Sequence, residues 1–230
     1  MRVDILTIFP RFFDAFLTHG IVERARHKGA LEVSITDLRA FTEDRHRSVD
    51  DRPFGGGPGM LIKPEPVFRA RDILGYGFGA PPVPVLLCPQ GEPLHQSALE
   101  ELAEEQQLLL LCGRYEGFDE RICDGLPWRR VSIGNYVLAG GEIPAQVIVE
   151  GIARLLPGVL GHDKSTARDS FSEWAGAEGL DHPHYTRPTS YRGREVPPVL
   201  LSGNHGEIEN WRRRKAEEST RMRDSHRNSE

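Results

Sequence analysis

Four consecutive leucines, Leu108 to Leu111, run straight into Cys112-Gly113. A run so short and so uniformly apolar reads as a strand buried on both faces, and that requires covering layers above and below a mainly parallel sheet. The same arrangement recurs twice. Residues 83–87 lead into Cys88-Pro89-Gln90-Gly91. Residues 132–144, Ser-Ile-Gly-Asn-Tyr-Val-Leu-Ala-Gly-Gly-Glu-Ile-Pro, break an apolar run at Gly134 and again at Gly140-Gly141. Proline suits the first turn of a helix, so Pro144 marks a helix start, carried on by Val147, Ile148, Val149, Ile152, Leu155 and Leu156. Glycine serves where a backbone turns with positive φ or approaches a ligand closely. In open parallel sheets, ligands sit beyond the carboxyl ends of the strands. One such loop reads equally well as a plain tight turn; three together favour a binding site.

The rest of the chain fits an α/β reading. Residues 3–8 form a strand, and Phe12, Phe16 and Ile21 at helical spacing predict a helix over about 11–26. Residues 33–38 alternate as a strand does, and 42–60 form a long loop ending in Phe54-Gly55-Gly56-Gly57-Pro58-Gly59. A helix over 65–74 and further strand, loop and helix units follow to about residue 156. Alternation of this kind belongs to a parallel-sheet domain. From Pro157 to Gly179 the chain turns polar and reads as a linker. Beyond it, prolines exclude long helices until residues 206–215, and the charged last fifteen residues are expected to fray. The resulting division is a ligand-binding domain over 1–160, a flexible linker over 161–178 and a small, mainly helical domain over 179–230.

No apolar run approaches the roughly 20 residues a membrane helix needs. Asp4 interrupts the opening apolar stretch, which reads as a strand and not as a signal peptide. Cys88, Cys112 and Cys123 are odd in number and lack metal-ligand spacing, which fits a reducing, cytoplasmic setting. The net charge of −5 argues mildly against nucleic acid as a partner. Its distribution weakens that argument: residues 161–230 carry 12 basic and 12 acidic groups, leaving the excess acidity to the first part. Two basic patches stand out, Trp211-Arg212-Arg213-Arg214-Lys215, which also reads as a solvated helix face, and Arg187, Arg192 and Arg194 with Tyr185 and Tyr191 among them. Basic and aromatic groups together suit phosphate contact and base stacking.

The strings CPQG, LCGRYEGFDER, SIGNYVLAGGEIPA and RLLPGVLG, in this order, resemble the bacterial tRNA (guanine-N1)-methyltransferases. The resemblance continues in RPFGGGPGML, RDSF, PHYTRP and VPPVLLSGNHGEIENWR and reaches from the opening DILTIFP to Arg212. Long contiguous strings are far more specific than a lone glycine pattern. The resemblance implies a knotted SPOUT methyltransferase domain, a fold class that composition alone does not predict. It also implies methyl transfer from S-adenosylmethionine to N1 of guanosine 37 in tRNA, assistance by magnesium, and a homodimer that shares its active site between subunits. The chain departs from the family pattern at Asn135, where an aspartate is expected, at Phe54, where a tyrosine is common, and at Leu126 to Arg130, where an acidic stretch is usual.

Carried onto this sequence, the resemblance makes Asp169 the general base for the guanine N1 proton and Arg154 the group that stabilises charge on the guanine O6. The cofactor falls to the three loops: Leu86, Leu87, Cys88, Pro89 and Gly91; Gly113, Tyr115 and Glu116; Ile133, Gly134, Asn135, Tyr136, Val137, Leu138, Gly140, Gly141 and Pro144. Glu116 is the expected acceptor for a ribose hydroxyl or the methionine amine. Ser165, Ser170, Tyr185, Arg187 and Arg192 are expected to contact tRNA. A valine at Gly141 is expected to cause a large loss of cofactor binding while leaving the fold intact. No residues are assigned to magnesium, which often keeps its waters and uses few protein ligands.

Two other classes compete. A dinucleotide-binding enzyme needs a G-x-G-x-x-G turn between strand and helix, and these glycines do not keep that spacing. A P-loop needs Gly-Lys-Ser/Thr, where this chain has Gly59-Met60-Leu61. A non-catalytic RNA-binding module and a sister methyltransferase acting at another RNA position remain rivals, the latter the nearer.

Overall fold

A computed structural model describes residues 1–74, 81–161, 168–172, 174–176 and 178–227. The chain divides into two compact units, Met1–Leu160 and Gly161–Glu230.

The first unit holds β1 (Arg2–Thr7), α1 (Gly20–His27), β2 (Glu32–Asp37), β3 (Asp50–Asp51), β4 (Leu61–Ile62), α2 (Pro64–Leu74), β5 (Val83–Pro93), α3 (Gln96–Glu104), β6 (Gln107–Cys112), α4 (Glu120–Gly125), β7 (Arg129–Ser132) and α5 (Glu142–Leu155). Five strands form one parallel sheet in the order β2-β1-β6-β5-β7. The leucine run is its centre. Successive side chains of a strand point to opposite faces, so Leu108 and Leu110 join the core under α1, α3 and α5 while Leu109 and Leu111 join the core under α2 and α4. All four are fully buried.

The helix expected over 11–26 is broken. Short 3₁₀ turns cover Pro10–Phe13 and Phe16–Thr18, His19 is extended, and α1 begins only at Gly20, whose φ is +71°. The helical spacing of Phe12, Phe16 and Ile21 misled because Phe13, not Phe12, fills the core.

β5 has an unusual course. It pairs with β7 at Leu87↔Val131, leaves the sheet, then pairs again at Glu92↔Val131 and Pro93↔Ser132. Pro89-Gln90-Gly91 thus form an excursion clamped at both ends to one strand. A Cβ on Gly91 would lie 2.3 Å from the Val131 nitrogen, so this glycine exists to let two backbones pass.

The second unit contains a hairpin, β8 (Ser190–Tyr191) and β9 (Arg194–Glu195), then α6 (Pro198–Leu201) and α7 (His205–Arg227). Arg192 and Gly193 both have positive φ, as a two-residue hairpin turn requires. α7 is far longer than residues 206–215, and the tail through Arg227 does not fray into coil. Asn204 caps it, its Oδ1 accepting from the Gly206 and Glu207 amides. Along its length Arg213 faces Glu209 and Arg214 faces Glu218 one turn away. The basic cluster 212–215 is therefore a paired, solvated helix face, anchored by the buried Trp211. Residues near the linker are tied to this helix: Trp174 Nε1 donates to Glu209 at 3.1 Å, and Arg168 pairs with the same carboxylate at 3.2 Å.

Candidate active site

The carboxyl ends of β5, β6 and β7 open onto a cavity of about 490 Å³ in the first unit. Small-molecule sites span roughly 300–1,000 Å³. Leu86, Leu87, Cys88 and Pro89 wall it from β5, Gly113, Tyr115 and Glu116 from the loop after β6, Ile133, Gly134, Tyr136, Val137, Leu138, Gly140 and Gly141 from the loop after β7, and Pro144 from the start of α5. Two expected residues stand apart from this lining. Gly91 packs on β7, and the exposed Asn135 lies between lining residues without forming part of the wall.

The loop over 135–139 is exposed throughout, with Val137 at 87% and Tyr136 at 54%. Apolar side chains held in water at a cavity rim mark a surface awaiting a partner. The glycine-rich segment before β4 supports the opposite wall. Glu116 donates its amide to Met60 O at 3.1 Å, and a Cβ on Gly59 would strike the Glu116 side chain.

Beneath the rim lies a buried network that the sequence reading missed. Glu142, the first residue of α5, is 1% exposed. Its Oε1 accepts the Thr7 hydroxyl at 2.7 Å, and its Oε2 meets Arg114 Nη2 at 2.9 Å. The Arg114 guanidinium also lies 4.6 Å from the Phe9 ring centre and donates to Ala139 O. Thr7 ends β1, Arg114 follows β6 and Glu142 opens α5, so one carboxylate ties two strand ends to a helix start. A carboxylate is also favoured at a helix N-terminus. The sequence does carry a signal for it: Glu142 stands three residues before Ala145 on the stripe that continues through Ile148, Val149 and Ile152, all of them buried.

Of the two reasons for a glycine at 141, positive φ and close approach, the first does not apply, since its φ is −83°. The constraint is steric, because a Cβ there would sit 2.7 Å from Cys112 Cα and 2.9 Å from the Gly113 nitrogen. Gly141→Val is therefore expected to lower thermal stability as well as ligand affinity, and Gly141→Ala to do the same in smaller measure. Paired melting and calorimetric titration of both variants check this; a valine variant that melts like the parent contradicts the packing.

Arg154 is exposed near the end of α5, twelve residues beyond Glu142 and so about 18 Å along the axis. It does not line the cavity. Asp169 belongs to the second unit, half-buried in a turn where its carbonyl accepts from Ser172 N at 3.2 Å. Ser170 Oγ accepts from the Asp181 amide at 2.9 Å. Tyr185 and Arg187 are exposed, and Arg192 stacks over Tyr191 at 5.3 Å. Ser165 lies outside the described residues.

The departure from the family pattern at residues 126–130 is locally accommodated. Trp128 Nε1 donates to Ile122 O at 2.7 Å, Arg129 pairs with Glu101 at 2.7 Å, and Arg130 approaches Glu120 at 3.6 Å on the cavity wall.

Comparison with known proteins decides what this arrangement belongs to. The family described as tRNA (Guanine-1)-methyltransferase TrmD matches residues 1–227. The chain belongs to that family. A tRNA (guanine-N(1)-)-methyltransferase of Moorella thermoacetica is 53% identical over 221 residues, 96% of this chain and 87% of the relative. That of Bacillus subtilis is 46% identical over 223 residues, 97% of this chain and 90% of the relative. The crystal structure of the tRNA (m1G37) methyltransferase from Aquifex aeolicus superposes with a TM-score of 0.79 at 38% identity, covering 97% of this chain and 93% of that one. The tRNA (guanine-1)-methyltransferases are enzymes, and the parallel sheet, the flanking helices and the helical C-terminal part described above are theirs.

Proposed function

We propose that this chain transfers the methyl group of S-adenosylmethionine to N1 of guanosine 37 in tRNA. The observation that carries the reading is the cavity at the ends of three adjacent parallel strands, with exposed apolar residues at its rim that a flat adenine would cover. Bound there, S-adenosylmethionine supplies a methyl group already activated by its sulfonium. The chain's own task is to align the guanine and manage one proton. Asp169 accepts the N1 proton and Arg154 faces the guanine O6, where negative charge grows. Glu116 accepts from a ribose hydroxyl or the methionine amine. Glu116 and Glu120 line the cavity, too few carboxylates for a closed cage but suited to a magnesium ion that keeps its waters. The C-terminal unit, with Tyr185, Arg187 and Arg192 exposed, meets the tRNA, and the substrate puts the enzyme in the cytoplasm. No described helix is long and apolar enough to cross a membrane. The close passage of Gly91 over β7 and of Gly141 over β6 supports a chain threaded through itself, as in the SPOUT class.

The distance of Arg154 from the cavity of its own subunit supports a homodimer in which two chains complete each site. Ile143 and Val147 stand one turn apart and exposed on α5, and Gln146 links that face to the exposed Phe12. Light scattering is expected to give a dimer at assay concentration; a fully active monomer would falsify the shared site.

Mass spectrometry of unmodified tRNA, after incubation with the protein and S-adenosylmethionine, is expected to place one methyl group on N1 of guanosine 37. A methyl group at another nucleotide favours the sister-enzyme reading, and none at all the non-catalytic one.

Burial pushes the Cys88 thiol above its ordinary pKa, and the thiolate is the reactive form. Cys88 lines the cavity. Iodoacetamide is therefore expected to label it slowly at neutral pH, faster as pH rises past the range of a free cysteine, and slower again with S-adenosylmethionine present. Peptide mapping of the labelled protein checks all three; rapid neutral labelling indifferent to the cofactor contradicts the assignment.

A further inference from the structure

The second unit holds a cluster to which the proposed function assigns no role. Asp181, His182 and His184 each present one ligand atom, and the three atoms lie within 4.8 Å of one another. His184 Nε2 is 2.9 Å from Asp181 Oδ2, and His182 Nε2 is 3.7 Å from Asp181 Oδ1. The two ring centroids are 4.3 Å apart, their planes tilted by 42°.

His182 Nδ1 is 3.2 Å from the Pro183 carbonyl oxygen, which only accepts, so Nδ1–H donates there and Nε2 carries the lone pair. Nε2 lies 3.7 Å from Asp181 Oδ1, too far for a hydrogen bond and spaced for a cation between them. A histidine whose one nitrogen is hydrogen-bonded to a backbone carbonyl, leaving the other to the metal, is the usual ligating arrangement.

The cluster is also held in place. His182 is 9% exposed, packed edge-on to Trp174 and against Trp211 at 6.0 and 6.2 Å between ring centres. The Asp181 amide donates to Ser170 Oγ, and the Leu180 amide donates to Thr220 Oγ1 on α7, both at 2.9 Å. The Asp181 carboxylate is turned by the His182 amide, which donates to Oδ1 at 2.7 Å. Only His184 is loose, its side chain 70% exposed. Zn–N bonds of about 2.0–2.1 Å hold two donors no more than about 4 Å apart, so the widest separation must close slightly. The exposed His184 ring is the one that moves.

We propose that Asp181, His182 and His184 form a site for a divalent transition cation of the zinc class. Two imidazoles and one carboxylate suit zinc, cobalt or nickel, whereas magnesium and calcium take oxygen donors. Three protein ligands leave a fourth position to water or to an added ligand. The ion ties the segment carrying Tyr185 to the Trp174–Trp211 base in the C-terminal unit. The site shares no ligand with the residues assigned to methyl transfer and is tested independently of them.

The full chain, freed of metal with a chelator, is titrated with zinc by calorimetry and with cobalt by visible absorption. The expected result is one equivalent bound, with the ligand-field bands of a four-coordinate cobalt centre of nitrogen and oxygen donors. His182→Asn and His184→Gln are each expected to weaken zinc binding at least tenfold, with circular dichroism reporting whether each variant is folded. The parent's cobalt spectrum decides the case even where a variant fails to fold. Thiolate-to-cobalt charge transfer would assign the metal to Cys88 and Cys123 and overturn the site. So would the absence of stoichiometric binding, or undiminished zinc affinity in both folded histidine variants.

Discussion

Asp169→Asn is expected to lower single-turnover methyl transfer by about 10²–10⁴-fold, the usual contribution of a general base. The substitution keeps the shape of the side chain and most of its hydrogen bonding, but an amide does not take up the guanine N1 proton as a carboxylate does. The cofactor cavity lies in the unit Met1–Leu160, and Asp169 lies outside it. Affinity for S-adenosylmethionine is therefore expected to stay within a few-fold of the parent. The neighbours of Asp169 are held independently of its carboxylate, Arg168 by Glu209 and Ser170 by the Asp181 amide, so the fold of the second unit should persist. Rapid-quench kinetics with equilibrium binding on the same preparation separates these effects. Near-parental turnover across pH removes Asp169 as the base. A loss confined to stability or cofactor binding makes it structural.

The second large effect belongs to Glu142. Truncation to alanine leaves Arg114, only 18% exposed, without its carboxylate, and the Thr7 hydroxyl without its acceptor. Removing one partner of a buried ion pair costs about 3–5 kcal/mol, against a total stability of about 5–15 kcal/mol for a typical protein. Chemical denaturation is expected to show that loss in Glu142→Ala. Glu142→Gln keeps the bond to Thr7 and should retain part of the stability. The two variants are also expected to weaken cofactor binding, since Arg114 and the Gly140–Gly141 turn share the cavity wall with Glu142 beneath them. A Glu142→Ala protein as stable as the parent would remove the network from the architecture.

Much of the sheet was legible from residues alone. Leu108 to Leu111 read as a doubly buried strand, and the glycine-ended loops beside it point to the cavity at the strand ends. The N-terminal helix was misread because helical spacing reports a face, not continuity, and nothing in the spacing shows that Gly20 turns left-handed. α7 was read too short because a charged tail resembles a frayed one until Glu209, Arg213, Arg214 and Glu218 are seen to pair. Glu142 was hidden in plain view inside a string chosen for its glycines. Asp169 and Arg154 owe their selection wholly to the resemblance: a lone aspartate in a polar stretch and an arginine at a helix end carry no physical signal of their own.

The place of β1 in the sheet bears on how the protein is made. β1 sits between β2 and β6, and β6 lies about a hundred residues later in the chain. At a synthesis rate of about 5–20 residues per second, the ribosome completes β2 roughly 4–15 s before β6 is finished. Throughout that interval the nascent strand has one open edge bearing Val3, Ile5 and Leu6, the kind of edge that recruits other chains. Asp4 stands in the middle of it. In the finished fold its carboxylate is fully buried, bound by Arg2 at 2.8 Å and by Gln107 of β6 at 2.7 Å. A charge in the middle of an open edge disfavours docking by apolar strands, while in the finished sheet Arg2 and Gln107 satisfy it. An apolar residue at position 4 is therefore expected to leave the newly made edge more prone to aggregate.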